Sequence, residues 1–105
     1  MTTATFRKTK GAWYIDIRGH AGYSDKDDIV CSAVSMLVQT LLQCLEDEEE
    51  NLANSNGTVM DGHVVVTYEA KKPSAKRIDT ITKVIELGFK LLSDSYPKYV
   101  TMGRE

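Results

Sequence analysis

The chain has 105 residues, 42% of them apolar, a formal net charge of −2 and a pI near 5.7. That is enough apolar content for one modest core and too much for a disordered chain, so a single domain over residues 1–105 is expected. The charge argues against a nucleic-acid binder that relies on a general basic surface, and two cysteines are too few for a disulfide framework.

Ala4 and Phe6 alternate with Thr5 and Arg7, a strand pattern, and Lys10-Gly11 follows as a turn. Trp13, Ile15 and Ile17 then alternate with Tyr14, Asp16 and Arg18. This is the clearest period-2 strand in the chain, with its apolar set toward the core. The two strands are expected to form a hairpin.

Residues 20–27 read as a polar loop, and Asp27 or Asp28 can cap the helix that follows. No charge occurs between Ile29 and Leu45, a run of 17 residues. It contains Ser32, Ser35, Gln39, Thr40 and Gln43, so it is short and polar for a membrane span and reads better as a buried helix. Ser32, Ser35, Gln39 and Gln43 fall three or four apart on one stripe, leaving a wide apolar arc that a second protomer would help to cover. Cys44, among leucines, reads as structural.

Residues 46–50, EDEEE, oppose the macrodipole at a helix end and read as a solvated, fraying terminus or a patch for a basic partner. Residues 51–56 read as a loop. Gly57 to Met60, Asp61-Gly62 and His63 to Tyr68 read as a second hairpin on a type I′ turn, with Asn56-Gly57 as a competing turn. His63 is expected at the surface or in a cross-strand pair. Pro73 suits a first helical turn, with Ser74 as a cap, and Ile78, Ile81, Ile85, Phe89 and Leu92 mark an amphipathic helix over about 75–92. Gly88 inside it suggests a close neighbour. Tyr96-Pro97 ends the helix, and Lys98 to Met102 is either a short edge strand or a tail. The order β-β-α-β-β-α predicts a two-layer α+β domain, an antiparallel sheet with helices packed on one face.

The chemistry concentrates in residues 19–35, GHAGYSDKDDIVCSAVS. Cys31 falls in the first turn of a helix, where unpartnered N–H groups favour a thiolate and can hold an oxyanion. An imidazole from His20 can pair with that thiolate or take its proton. Asp28 has two alternative roles. It caps the helix through the Cys31 amide, removing an oxyanion donor, or it turns to orient His20. The bland alternative is a buried cysteine and an exposed histidine that never meet. His20, Cys31, Asp27 and Asp28 lack a close CxxC or HxxxH pairing, so no metal is expected, and no cofactor.

Gly19-His20-Ala21, a loop, and then Asp28-Ile29-Val30-Cys31-Ser32-Ala33-Val34-Ser35 resemble the signature of the ribosomal-processing cysteine protease family, Prp. The resemblance implies a small bacterial or phage-encoded cysteine endopeptidase that removes the N-terminal extension of a large-subunit ribosomal protein through an acyl-enzyme. It implies Cys31 as nucleophile, His20 as proton donor, and a homodimer. Gly22, Tyr23, Ser24 and Asp27 become the substrate loop, which here has no glycine after Gly22, unlike many relatives. The implied partner is a peptide substrate, with no direct nucleic acid and no membrane. The polar, basic stretch from Met1 to Lys10 does not look like a signal peptide, which points to the cytoplasm. A ribosome-associated adaptor without catalysis is the alternative. A thiol redox sensor is disfavoured, since Cys44 lies over three helical turns from Cys31.

Overall fold

A computed structural model of the chain describes residues 1–103. Two hairpins and two helices alternate in sequence: β1 (Thr2–Thr9), β2 (Ala12–Arg18), α1 (Ile29–Asp47), β3 (Leu52–Met60), β4 (His63–Ala70), α2 (Ala75–Ser95) and a short β5 (Val100–Met102). The strands form one sheet in the order β3-β4-β2-β1-β5. All pairings are antiparallel except β1 with β5, which is parallel. The fold is therefore α+β, as expected, with a fifth strand closing the sheet beside β1.

Strand alternation places one set of side chains under the helices. Ala4, Phe6, Trp13, Ile15, Ile17, Val66 and Tyr68 are buried together with Val30, Val34, Leu41 and Leu45 of α1 and Ile78, Ile85 and Phe89 of α2. Phe6 and Phe89 stack at 5.7 Å across the two layers. The Tyr68 hydroxyl lies 2.6 Å from Thr82 Oγ1, and Thr82 in turn donates to the Ile78 carbonyl at 2.9 Å. Thr82 has a single hydroxyl hydrogen, so Tyr68 is the donor of the first bond. Burial pushes the Tyr68 hydroxyl up to about 12.

By length and composition α1 could cross a membrane. Here only Val30, Val34, Leu41 and Leu45 of it are buried, a narrow stripe against the core and α2, so the wide apolar arc is largely uncovered in the single chain. Where the helices cross, Gly88 makes room: a Cβ there would lie 2.6 Å from Leu37 Cδ2, which accounts for a glycine within α2. Leaving the core, the helix surfaces expose Ile29 and Met36 on α1 and Val84, Leu87 and Leu91 on α2. Cys44 is only half-buried, beside Gln43 and Thr40 on the flank of α1, and not deep among leucines.

Several local expectations change. Residues 52–56 belong to β3, not to a loop. Only Leu52 of that strand is buried, so it has no apolar alternation, and pairing with β4 holds it. The two-residue turn with positive φ at both positions is Lys10-Gly11, at 52° and 84°. In the Asp61-Gly62 turn only Gly62 has positive φ, so that turn is not type I′. The Ser74 side chain does not cap α2; its hydroxyl donates to Asn51 Oδ1 at 3.0 Å. The acidic run is not wholly solvated. Glu48 is buried and bound by Arg77 through Nε and, at 2.9 Å, a terminal nitrogen, with Asn51 donating at 2.9 Å. The Arg77 guanidinium holds the Glu48 carboxyl below its usual range.

Candidate active site

The strand β2 ends at Arg18, and Gly19 turns the chain with φ of 89°, delivering His20 to the rim of the sheet. Across from it, α1 begins at Ile29 and puts Cys31 in its first turn. Both side chains line one cavity of about 360 Å³ between α1 and the β3–β4 hairpin. Beyond Leu52 every residue of β3 is exposed. Val59 faces the cavity and is left 64% exposed although it pairs with core-facing Val64.

The His20 ring is exposed, and Nε2 lies 3.6 Å from Asp61 Oδ1, beyond hydrogen-bond distance. Among the described residues no hydrogen bond joins His20 to Cys31.

Asp28 is the N-cap. Its Oδ1 accepts from the Cys31 amide at 2.8 Å, and Oδ2 accepts from the Tyr23 amide at 3.0 Å and more weakly from the Ser24 amide at 3.4 Å. These bonds, the one from Cys31 foremost, hold its carboxyl below the usual range. The second alternative, Asp28 orienting His20, does not occur. The amide of Cys31 is thereby unavailable as an oxyanion donor.

The loop from Gly22 to Asp27 is ordered by short-range bonds. Gly22 has φ of 72° and Asp27 takes φ of 48°, so an aspartate occupies the left-handed conformation that a loop glycine would provide. The Ser24 hydroxyl donates to the Lys26 carbonyl and accepts its amide at 3.2 Å. Tyr23 packs edge-on against Tyr96 at 5.6 Å and Tyr99 at 5.1 Å. Gly22, Tyr23, Ser24 and Asp27 thus lie beside the helix start and do not line the cavity.

Polar residues given no functional role from sequence also line the cavity: Thr2, Asp61 and, one and two turns beyond Cys31, Ser35 and Gln39. The spacing of four from residue 31 is the signal that finds the last two. His63 sits on the strand beside Arg18 and its Nε2 lies 3.2 Å from buried Asp16, a cross-strand pair as expected. Arg18 donates to the same carboxylate and holds it below its usual range.

The fold has counterparts among known proteins. The family model for cysteine protease Prp matches residues 1–101. Among solved structures, SMU.848 from Streptococcus mutans is 27% identical with a TM-score of 0.70, covering 97% of this chain and 91% of that one. The ribosomal processing protease Prp from S. aureus, solved with a covalently linked product peptide and with a substrate peptide, is 14% identical over the whole of both chains, with TM-scores of 0.79 and 0.75. No curated protein matches. With its model matched over nearly every residue, this chain belongs to the cysteine protease Prp family.

Proposed function

We propose that the chain is the processing endopeptidase for the N-terminal extension of a large-subunit ribosomal protein, or a phage-encoded relative with an equivalent task. The observation that carries the reading is the shared cavity of His20 and Cys31, with the cysteine in the first turn of a helix. The S. aureus relative, solved with substrate and product peptides, supports a peptide substrate.

In this mechanism the Cys31 thiolate attacks the scissile carbonyl, forming the S–C bond. His20 donates a proton to the amine as the C–N bond breaks, and water then hydrolyses the thioester with His20 as base. Asp28 fixes the helix start that presents Cys31. Ser35, one turn beyond Cys31 on the same helix face, is a side-chain donor toward the developing oxyanion, whereas Gln39, about 12 Å along the helix from Cys31, lies beyond reach of it and faces the rest of the peptide. Glu46 and Glu49 line an open groove of about 620 Å³ that shares Leu42 with the catalytic cavity, a path along which a basic substrate would be steered. Glu48 has no part in steering, being bound to Arg77.

The exposed apolar residues of α1 and α2 favour a homodimer through the helical layer. Free thiols at Cys31 and Cys44 suit the cytoplasm. Incubating wild type, Cys31→Ala and His20→Ala with a ribosomal-protein precursor peptide tests the reading. Cleavage by wild type alone supports it.

A further inference from the structure

His20 follows the end of β2 with its side chain largely exposed and, among the described residues, with no hydrogen bond to Cys31. Something other than Asp28 must limit where its ring lies if it is to serve Cys31, and the β3–β4 turn lies against it. The β3–β4 turn is tied to the His20 stem by a backbone bond from the Gly19 amide to the Gly62 carbonyl at 2.8 Å. Register adds to this, since Arg18 pairs with His63 at the same end of the sheet. The imidazole lies over Gly62: a Cβ on that residue would stand 2.9 Å from Nε2, with Cδ2 at 3.4 Å and Cε1 at 3.6 Å. The ring therefore occupies the space that any side chain at position 62 would claim.

We propose that the Asp61-Gly62 turn positions the His20 imidazole, with Gly62 as the positioning residue because its missing side chain defines where the ring rests. This inference rests on His20 serving as the proton donor of the peptidase. The crowding atom at position 62 is the end of a side chain that can swing into solvent. Beyond the backbone strain of its positive φ, a side chain there adds little steric cost to the fold and a large one to the chemistry, since the group that yields is the imidazole itself. Displacing a reacting group by about 1 Å can cost on the order of 100-fold in rate. Asp61, at 3.6 Å and almost fully exposed, is a minor influence beside the glycine.

Gly11 supplies a matched control. It also has positive φ, 84° against 73° for Gly62, and it also sits in a two-residue hairpin turn, but a Cβ there would meet nothing within 4 Å. Gly62→Ala and Gly11→Ala incur backbone strain of the same origin, and only the first crowds His20. The experiment measures melting temperature, kcat and KM on a precursor peptide for both variants, with Gly62→Asn as a second probe because asparagine tolerates positive φ. The expected result is similar loss of melting temperature in the two alanine variants, kcat lower by at least about tenfold in the position-62 variants with KM within about twofold, and kcat retained in Gly11→Ala. Equal kcat in all variants, or equal loss at both positions, overturns the inference. Nuclear Overhauser contacts between the His20 ring protons and the Gly62 α-protons are expected in wild type irrespective of activity, and their absence also overturns it. A wild type that cleaves no peptide, with those contacts present, sinks the peptidase reading and not the seat for the ring.

Discussion

The Asp28 carboxylate joins Tyr23 to Cys31: one oxygen accepts the Cys31 amide at 2.8 Å and the other the Tyr23 amide at 3.0 Å. One residue thus ends the loop, starts the helix and sets the height of the thiol. Its carboxyl is held below the ordinary value of 3.8, so the stability it contributes is present above that pH and is lost as pH falls through the lower folded-state value. Asp28→Ala is expected to lower the melting temperature at pH 7 by about 5 °C. The gap from wild type should narrow below about pH 4, where wild type loses the same bonds. Thermal unfolding of both proteins across that range checks it; a gap independent of pH would contradict the account.

Tyr68 and Thr82 allow a contrast between losing a hydrogen bond and stranding a donor. Tyr68→Phe removes the donor and leaves Thr82 bonded to the Ile78 carbonyl, at a cost of about 1 kcal/mol. Thr82→Val leaves the fully buried Tyr68 hydroxyl without its partner, at a cost of about 1–3 kcal/mol. Urea denaturation should therefore rank Thr82→Val as the less stable. The reverse order would mean that Tyr68 finds another acceptor.

On the proposed reading a basic substrate is steered by Glu46 and Glu49, which line the groove beside the cavity. Replacing both by glutamine is expected to lower kcat/KM on a basic precursor peptide severalfold at low ionic strength. At about 1 M salt, where the screening length falls to about 3 Å, the difference should vanish. A salt-independent loss would indicate a direct contact instead.

On the helical layer, Val84, Leu87 and Leu91 follow one another at helical spacing on α2, and Ile29 and Met36 lie two turns apart on α1. Leu87→Glu combined with Leu91→Glu is expected to convert a dimer into a monomer in sedimentation equilibrium at micromolar concentration. Wild type sedimenting as a monomer would remove the dimer from the account.

Much of this molecule could be read from periodicity. Trp13, Ile15 and Ile17 alternate because one face of β2 is buried and the other is polar, and Ile78 to Phe89 recur because α2 covers that same face. Residues 52–56 could not be read that way. This edge strand buries almost nothing, so its pairing leaves no hydrophobic signal, and the turn potential of Asn56-Gly57 gives way to backbone bonds with β4. At the site, helix-start chemistry and the motif singled out His20, Cys31 and Asp28. The direction of Asp28 was open because a cap and an orienting carboxylate require the same residue at the same place. The meeting of Gly62 with His20 was hidden for another reason: residues 42 positions apart are brought together only by the pairing of β2 with β4.

The most direct test of the central claim is the precursor-peptide assay with wild type, Cys31→Ala and His20→Ala, accompanied by iodoacetamide labelling of the two thiols. Wild type is expected to cut once and both variants to lose at least about 1,000-fold in rate, with Cys31 labelled ahead of Cys44. Cleavage by Cys31→Ala at the wild-type rate, or a wild type that neither cuts nor labels selectively at Cys31, would contradict it.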